Sequence, residues 1–280
     1  KTNTETQPNI IIIIMESFSK EFIGSYDNKK FTPFLDSLMQ FSLVFENSYA
    51  NGLTSIHALP SIIASLPTLM TNPFITSRYA ENSFESLASI LNKEGYNTSF
   101  FHGGRRGTMG FYSFTKRAGF NRYYGMEEFN TSKFKLLNKD SEFIYEGVWG
   151  IHDGPFLSYF ADRLRNKKEP FFSTFFSLSS HPPFDIPKEY KNVFPKGNLK
   201  IHESICYADF SLEKFFKEIK HESWFNNTLF IITADHTYNE SELDDQYQVA
   251  RYAIPMLFYK PNSSLIGERN NVVQQIDIMP

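Results

Sequence analysis

Six consecutive apolar residues, Ile10 to Met15, follow a polar start and end at Glu16. A run with no solvent-facing position predicts a strand buried on both faces, as in a parallel sheet. Phe171 to Leu178, Thr228 to Thr233 and Ile254 to Tyr259 read in the same way, and Thr98 to Phe101 is a weaker version. Between these runs the apolar positions change period. Leu59, Ile62, Ile63 and Leu66 recur at i, i+3, i+4, i+7, as do Phe84, Leu87, Ala88, Leu91 and Leu212, Phe215, Phe216, Ile219. Strands alternating with amphipathic helices predict an α/β fold, a mainly parallel central sheet with helices on both faces. The stretch from Gly103 to Asn138 is rich in Gly, Tyr, Phe and Lys without clear period, and reads as a long loop region over the sheet edge.

Composition narrows the function classes. The 280 residues are 41% hydrophobic and 21% charged, with 30 Phe and 15 Tyr, enough for a large core. Lys+Arg (28) nearly balance Asp+Glu (31), and the basic clusters Lys116-Arg117 and Lys167-Lys168 read as solvated helix faces. Without a basic excess, a nucleic-acid partner is not expected. Cys206 is the single cysteine, so no internal disulfide is possible. Ile10 to Met15 is far too short to span a bilayer. Residues 1–8 read as a linker and residues 9–280 as one catalytic domain whose final run, Gln275 to Pro280, stops inside structure. The chain reads as a piece of a longer protein.

The chemistry gathers after the strands. Glu16 follows the first run, His102 the Phe100-Phe101 pair, His181 the Phe171–Leu178 run, and Asp235-His236 the Thr228–Thr233 run. Ligands of open α/β sheets bind beyond the carboxyl ends of the strands, so these five residues are expected on one rim. Glu16, Asp235 and His236 form a mixed oxygen and nitrogen set suited to Zn²⁺ or Mn²⁺. Thr54 precedes the Leu59–Leu66 helix. Alone it reads as an N-cap. A hydroxyl at a helix N-terminus also meets unpaired N–H groups that favour phosphate, and contact with a divalent ion would make it a nucleophile. His57, His202 and His221 read as structural or surface residues, and His152-Asp153 as a turn and helix start.

With these residues in place, the chain resembles the sulfatase-like branch of the alkaline phosphatase superfamily. The motifs are Asn9 to Ser17, Thr32-Pro33-Phe34-Leu35, Thr54, Phe101-His102-Gly103, Ser180 to Phe184, Tyr207-Ala208-Asp209, Thr233 to His236 and Ile276 to Pro280. Within the branch it is most similar to lipoteichoic acid synthases and related phosphoglycerol transferases. The resemblance implies one divalent metal, Mn²⁺ or Zn²⁺ with Mg²⁺ or Ca²⁺ as alternatives, on Glu16, Thr54, Asp235 and His236. Thr54 would be phosphorylated transiently by a phospholipid headgroup, then resolved by an alcohol or glycan acceptor. His102 and His181 would line the pocket, His181 also moving a proton. An upstream membrane anchor and an extracytoplasmic domain at the cell membrane are implied as well.

Two departures stand out. The synthases carry a Trp-Asn-Arg element where this chain has Met109-Gly110-Phe111, so Arg105 or Arg106 would have to supply that positive charge, and Thr237 replaces a common Gly after the Asp-His pair. Rival functions are a sulfatase-type or phosphodiester hydrolase and an inactive binding domain. Formylglycine formation calls for Cys or Ser with Pro or Ala two residues on and Arg four residues on. Ser55 is followed by His57 and Leu59 at those places, which disfavours sulfate-ester cleavage.

Overall fold

A computed structural model describes residues 7–24, 30–134, 147–238 and 248–279. Its strands are β1 (Asn9–Met15), β2 (Leu43–Tyr49), β3 (Asn97–His102), β4 (Arg122–Tyr124), β5 (Phe171–Phe176), β6 (Thr228–Ala234), β7 (Met256–Tyr259) and β8 (Gly267–Gln274). They form one sheet in the order β4-β3-β5-β1-β6-β7-β2-β8. The isoleucine run lies near its middle, paired in parallel with β5 and β6. β7 is antiparallel to both β6 and β2, and the remaining pairs are parallel.

The absence of a polar position in β1 follows from this placement, because both sides of the strand are covered. Ile11, Ile13 and Met15 pack into a core with α1 (Pro33–Met39), α6 (Asp153–Arg165) and α7 (His202–Ile219). Ile12 and Ile14 pack on the opposite face with α2 (Ser55–Ala64), α3 (Leu87–Lys93) and α4 (Phe111–Arg117). Ile11 through Ile14 have no exposed surface, and each such side chain contributes about 1.5–3 kcal/mol of transfer free energy. The α/β architecture with helices on both faces is therefore as the periodicities predict.

Several boundaries differ from expectation. β5 stops at Phe176 and β7 starts at Met256. Leu66 lies beyond α2, which ends at Ser65 in a left-handed turn (φ 48°), and Phe84 precedes α3, which Ser86 caps. β2, β4 and β8 were not expected. β8 is an exposed edge strand reading Gly-Glu-Arg-Asn-Asn-Val-Val-Gln, so its residues carry no burial pattern to detect. The 103–138 region is not a loop lying over the sheet edge. It contributes α4, the edge strand β4 and the short α5 (Met126–Asn130), with Phe111, Phe114, Met126 and Phe129 buried, while 135–138 lie outside the described residues. Lys167-Lys168 is also not a helix face. It follows α6, and the Lys167 amine turns inward onto the Ser99 and Ser173 hydroxyls.

Candidate metal centre and active site

Because β3, β5, β1 and β6 are parallel neighbours, their carboxyl ends form one rim, with His102, His181, Glu16 and Asp235 set along it in that order. Glu16, Asp235 and His236 come together there, with one potential ligand atom from each within 4.8 Å of the others. All three are buried, at 1%, 0% and 7% exposure.

The surrounding bonds orient them. Asp235 Oδ1 accepts the N–H groups of Ser17 (2.8 Å) and His236 (2.7 Å), which leaves Oδ2 buried with no hydrogen-bond partner. Glu16 accepts the hydroxyls of Ser17 at Oε1 (2.9 Å) and Ser55 at Oε2 (3.1 Å). His236 Nδ1–H donates to the Thr237 carbonyl (2.8 Å), so the lone pair of a neutral ring sits on Nε2. That nitrogen faces Glu16 Oε1 at 3.5 Å and Asp235 Oδ2 at 3.3 Å. Three acceptors thus converge on one point, an arrangement that is repulsive unless a proton or a cation lies among them. Burial, then the neighbouring Asp235, holds the Glu16 carboxyl well above its ordinary pKa. The donor set fits a divalent cation, whose charge would relieve both the carboxylate repulsion and the orphaned oxygen.

Thr54 takes the N-cap position of α2 with extended backbone (φ −149°, ψ 151°), but its hydroxyl does not cap the helix. It is exposed, and it meets His57 Nδ1 at 2.8 Å. The hydroxyl that touches the cluster is that of Ser55, 3.1 Å from Glu16 and 3.4 Å from His236 Nε2. Gln275 ties the two loops together. It donates to the carbonyls of Ala234 (2.8 Å) and Asp235 (2.7 Å) and accepts the Asn51 N–H (2.9 Å).

His102 is fully buried, neither ring nitrogen has a partner, and burial followed by His181 pushes its pKa down to about 3. A neutral ring with both nitrogens unpaired is suited to receive a polar ligand. His181 Nδ1–H donates to the Pro182 carbonyl (2.9 Å), leaving Nε2 available. The half-exposed Trp149 lies edge-on to His181, ring centroids 4.7 Å apart, and donates to the same carbonyl. An aromatic wall is therefore present although the Trp-Asn-Arg element is not. Arg105 is exposed on the turn after β3. Arg106 is committed to Glu128 and stacks over Tyr112.

A sulfatase family profile matches residues 8–280. The chain belongs to the sulfatase family. Lipoteichoic acid synthase 1 of Bacillus subtilis (strain 168) is 26% identical over 300 residues, spanning 97% of this chain and 44% of the relative. This member thus spans less than half the length of that relative. Among solved structures, the lipoteichoic acid synthase LtaP of Listeria monocytogenes superposes with a TM-score of 0.83 at 22% identity, over all of this chain and 73% of the other. An alkaline phosphatase superfamily protein of Vibrio parahaemolyticus also gives 0.83, at 24% identity, over 97% of this chain and 64% of the other. The fold is that of the alkaline phosphatase superfamily, and the family marks the chain as an enzyme of it.

Within this sulfatase-family site, His57, expected as a structural or surface residue, lies half-buried in the first turn of α2 with Nδ1 2.8 Å from the Thr54 hydroxyl. Ser17, Ser55, Ser177 and Gln275, which lie in or beside the motifs, were not expected among the residues that hold the site. Ser177 accepts the Glu16 N–H at 2.7 Å. His202 stacks on Phe31 inside the core and His221 is exposed, as expected. His152 precedes α6, and Asp153 accepts the N–H groups of Leu178 (2.8 Å) and Ser179 (3.1 Å), anchoring the chain just before His181.

Proposed function

We propose that this chain is a metal-dependent phosphotransferase. Thr54 would be its nucleophile, moving a phospholipid-derived headgroup, phosphoglycerol or a similar group, to an acceptor alcohol. The observation that carries this reading is the convergence of Glu16, Asp235 Oδ2 and His236 Nε2 on one buried point beside the start of α2. These three, with Thr54, would hold one divalent ion, Mn²⁺ or Zn²⁺. When bound, such an ion supplies the positive charge that draws in a phosphoryl group and lowers the pKa of a hydroxyl it contacts.

The chain's own residues account for the remainder. Thr54 Oγ1 attacks phosphorus and releases its proton to solvent, and the P–O bond to the departing alcohol breaks. The departing oxygen takes the Nε2 proton of His181, which enters this half as the imidazolium and leaves it as the neutral ring with Nδ1–H on the Pro182 carbonyl. In the second half the acceptor hydroxyl gives its proton to His181 Nε2 and attacks the phosphothreonine. Thr54 Oγ1 then leaves and is reprotonated. His102 and Arg105 would bind the headgroup. Relatives that are lipoteichoic acid synthases support the substrate class, as does the sequence around Ser55, which departs from the formylglycine pattern. We place the domain outside the cytoplasmic membrane, anchored by a segment other than those described. No helix among the described residues is long and apolar enough to cross a membrane.

The test is Thr54→Ala, assayed for headgroup release from phosphatidylglycerol vesicles and for a phosphorylated peptide by mass spectrometry. Turnover and the phosphopeptide should vanish with the melting curve unchanged. Ser55 is the competing hydroxyl because it touches Glu16 and His236. Retention of both signals in Thr54→Ala and their loss in Ser55→Ala would move the nucleophile to Ser55.

A further inference from the structure

We infer that His57 is a positioning residue that sets the orientation of the Thr54 hydroxyl, a role resting on the reading of Thr54 as nucleophile. Three observations lead there. The Thr54 hydroxyl is exposed and unused as a cap, so no backbone N–H of the helix start restrains its rotamer. Its described partner is His57 Nδ1 at 2.8 Å. The ring is held for that contact: the Asn51–Thr54 turn lies directly on it, with a Cβ at Gly52 falling 2.5 Å from His57 Cβ and 3.0 Å from Cγ. Glycine at 52 is what lets the turn and the ring occupy the same space. The far nitrogen, Nε2, is buried with no hydrogen-bond partner. A histidine placed for stability would satisfy both nitrogens or leave the second in water. This one shares its described hydrogen bond with the Thr54 hydroxyl and leaves the other nitrogen dry.

A hydroxyl confined by one net hydrogen bond spends several-fold more time in the confined rotamer. The strength of such bonds corresponds to about 2- to 12-fold. The contribution should fall on the chemical step, because the substrate's own contacts are untouched.

The experiment uses the whole chain with added Mn²⁺ and bis(p-nitrophenyl) phosphate as a plain phosphodiester. His57→Ala should lower kcat by about 2- to 12-fold at unchanged KM. His57→Asn, whose side-chain amide places a hydrogen-bonding atom where Nδ1 now lies, should recover most of it. Full kcat in His57→Ala, or no recovery in His57→Asn, overturns the role. Thr54→Ala separates the two ideas, since undiminished turnover there removes the nucleophile reading itself. A second readout does not need activity: the His57 Nδ1 resonance in a ¹H–¹⁵N spectrum should move in Thr54→Val and stay in place in Arg105→Ala. A resonance indifferent to Thr54→Val overturns the contact.

Discussion

Replacing Glu16 by Gln gives the most direct reading of the three-acceptor cluster. In the metal-free protein, Glu16 lies 3.5 Å from His236 Nε2 in a site it shares with Asp235, and burial with that carboxylate raises its pKa. A carboxyl whose folded pKa exceeds the unfolded value contributes stability that is present below the unfolded pKa. That stability is lost as pH rises through the folded pKa. The metal-free wild type should therefore lose stability from about pH 4.3 upward. Glu16→Gln removes the charge, keeping an oxygen for one of the Ser17 and Ser55 hydroxyls and turning an amide N–H to the oxygen of the other, so its metal-free melting temperature at pH 7.5 should exceed that of the wild type. Divalent ion reverses the order. At a hundred times Kd, bound ion stabilises a fold by about 2.7 kcal/mol. In a chain of this size that is roughly 5–10 °C in Tm. Scanning calorimetry of chelator-treated protein, with and without MnCl₂, is the assay. An equal Mn²⁺-induced rise in both proteins, with no gain for metal-free Glu16→Gln, would refute the assignment of Glu16 to the cation.

Two other substitutions probe what surrounds the cluster. Gln275→Ala strands the carbonyls of Ala234 and Asp235 and the Asn51 N–H. It should cost about 2–4 kcal/mol in urea unfolding and weaken Mn²⁺ binding by calorimetric titration, and unchanged binding would deny Gln275 its bridging role. Lys167 carries a buried amine whose pKa burial lowers to about 7. The unfolded chain then binds the extra proton, so stability should climb between pH 7 and about 10.4, at up to ~1.4 kcal/mol per pH unit. Lys167→Met should flatten that rise, and a wild-type profile already flat over this range would contradict the buried, neutral amine.

Much of the site was legible in the chain because its residues sit where buried strands stop. Glu16 ends the isoleucine run and Asp235-His236 end β6. An apolar run interrupted by charge is conspicuous, and parallel strands carry their ends to a common rim. The helix before which Thr54 stands was visible for the same reason of period. His102 and His181 were found through strand ends too, and the structure sets both on that rim. What escaped had no period or no local mark to offer: β8 is exposed at six of its eight positions, β4 is three residues long, and nothing in the Gln274-Gln275 pair tells the buried amide from its neighbour.

The chain by itself determined which segments are strands and helices with wide apolar faces, and therefore the α/β class and the edge at which chemistry gathers. These follow from burial, which each residue's side chain declares locally. Only the tertiary structure decided which acceptors face one another, that the Ser55 hydroxyl meets the cluster while the Thr54 hydroxyl turns to His57, and that Trp149 stands beside His181. Those facts depend on sheet order and loop contact between residues as far apart as Glu16 and Asp235. Hydrogen-bond direction at a few ångströms leaves no mark on the local pattern of apolar and polar residues.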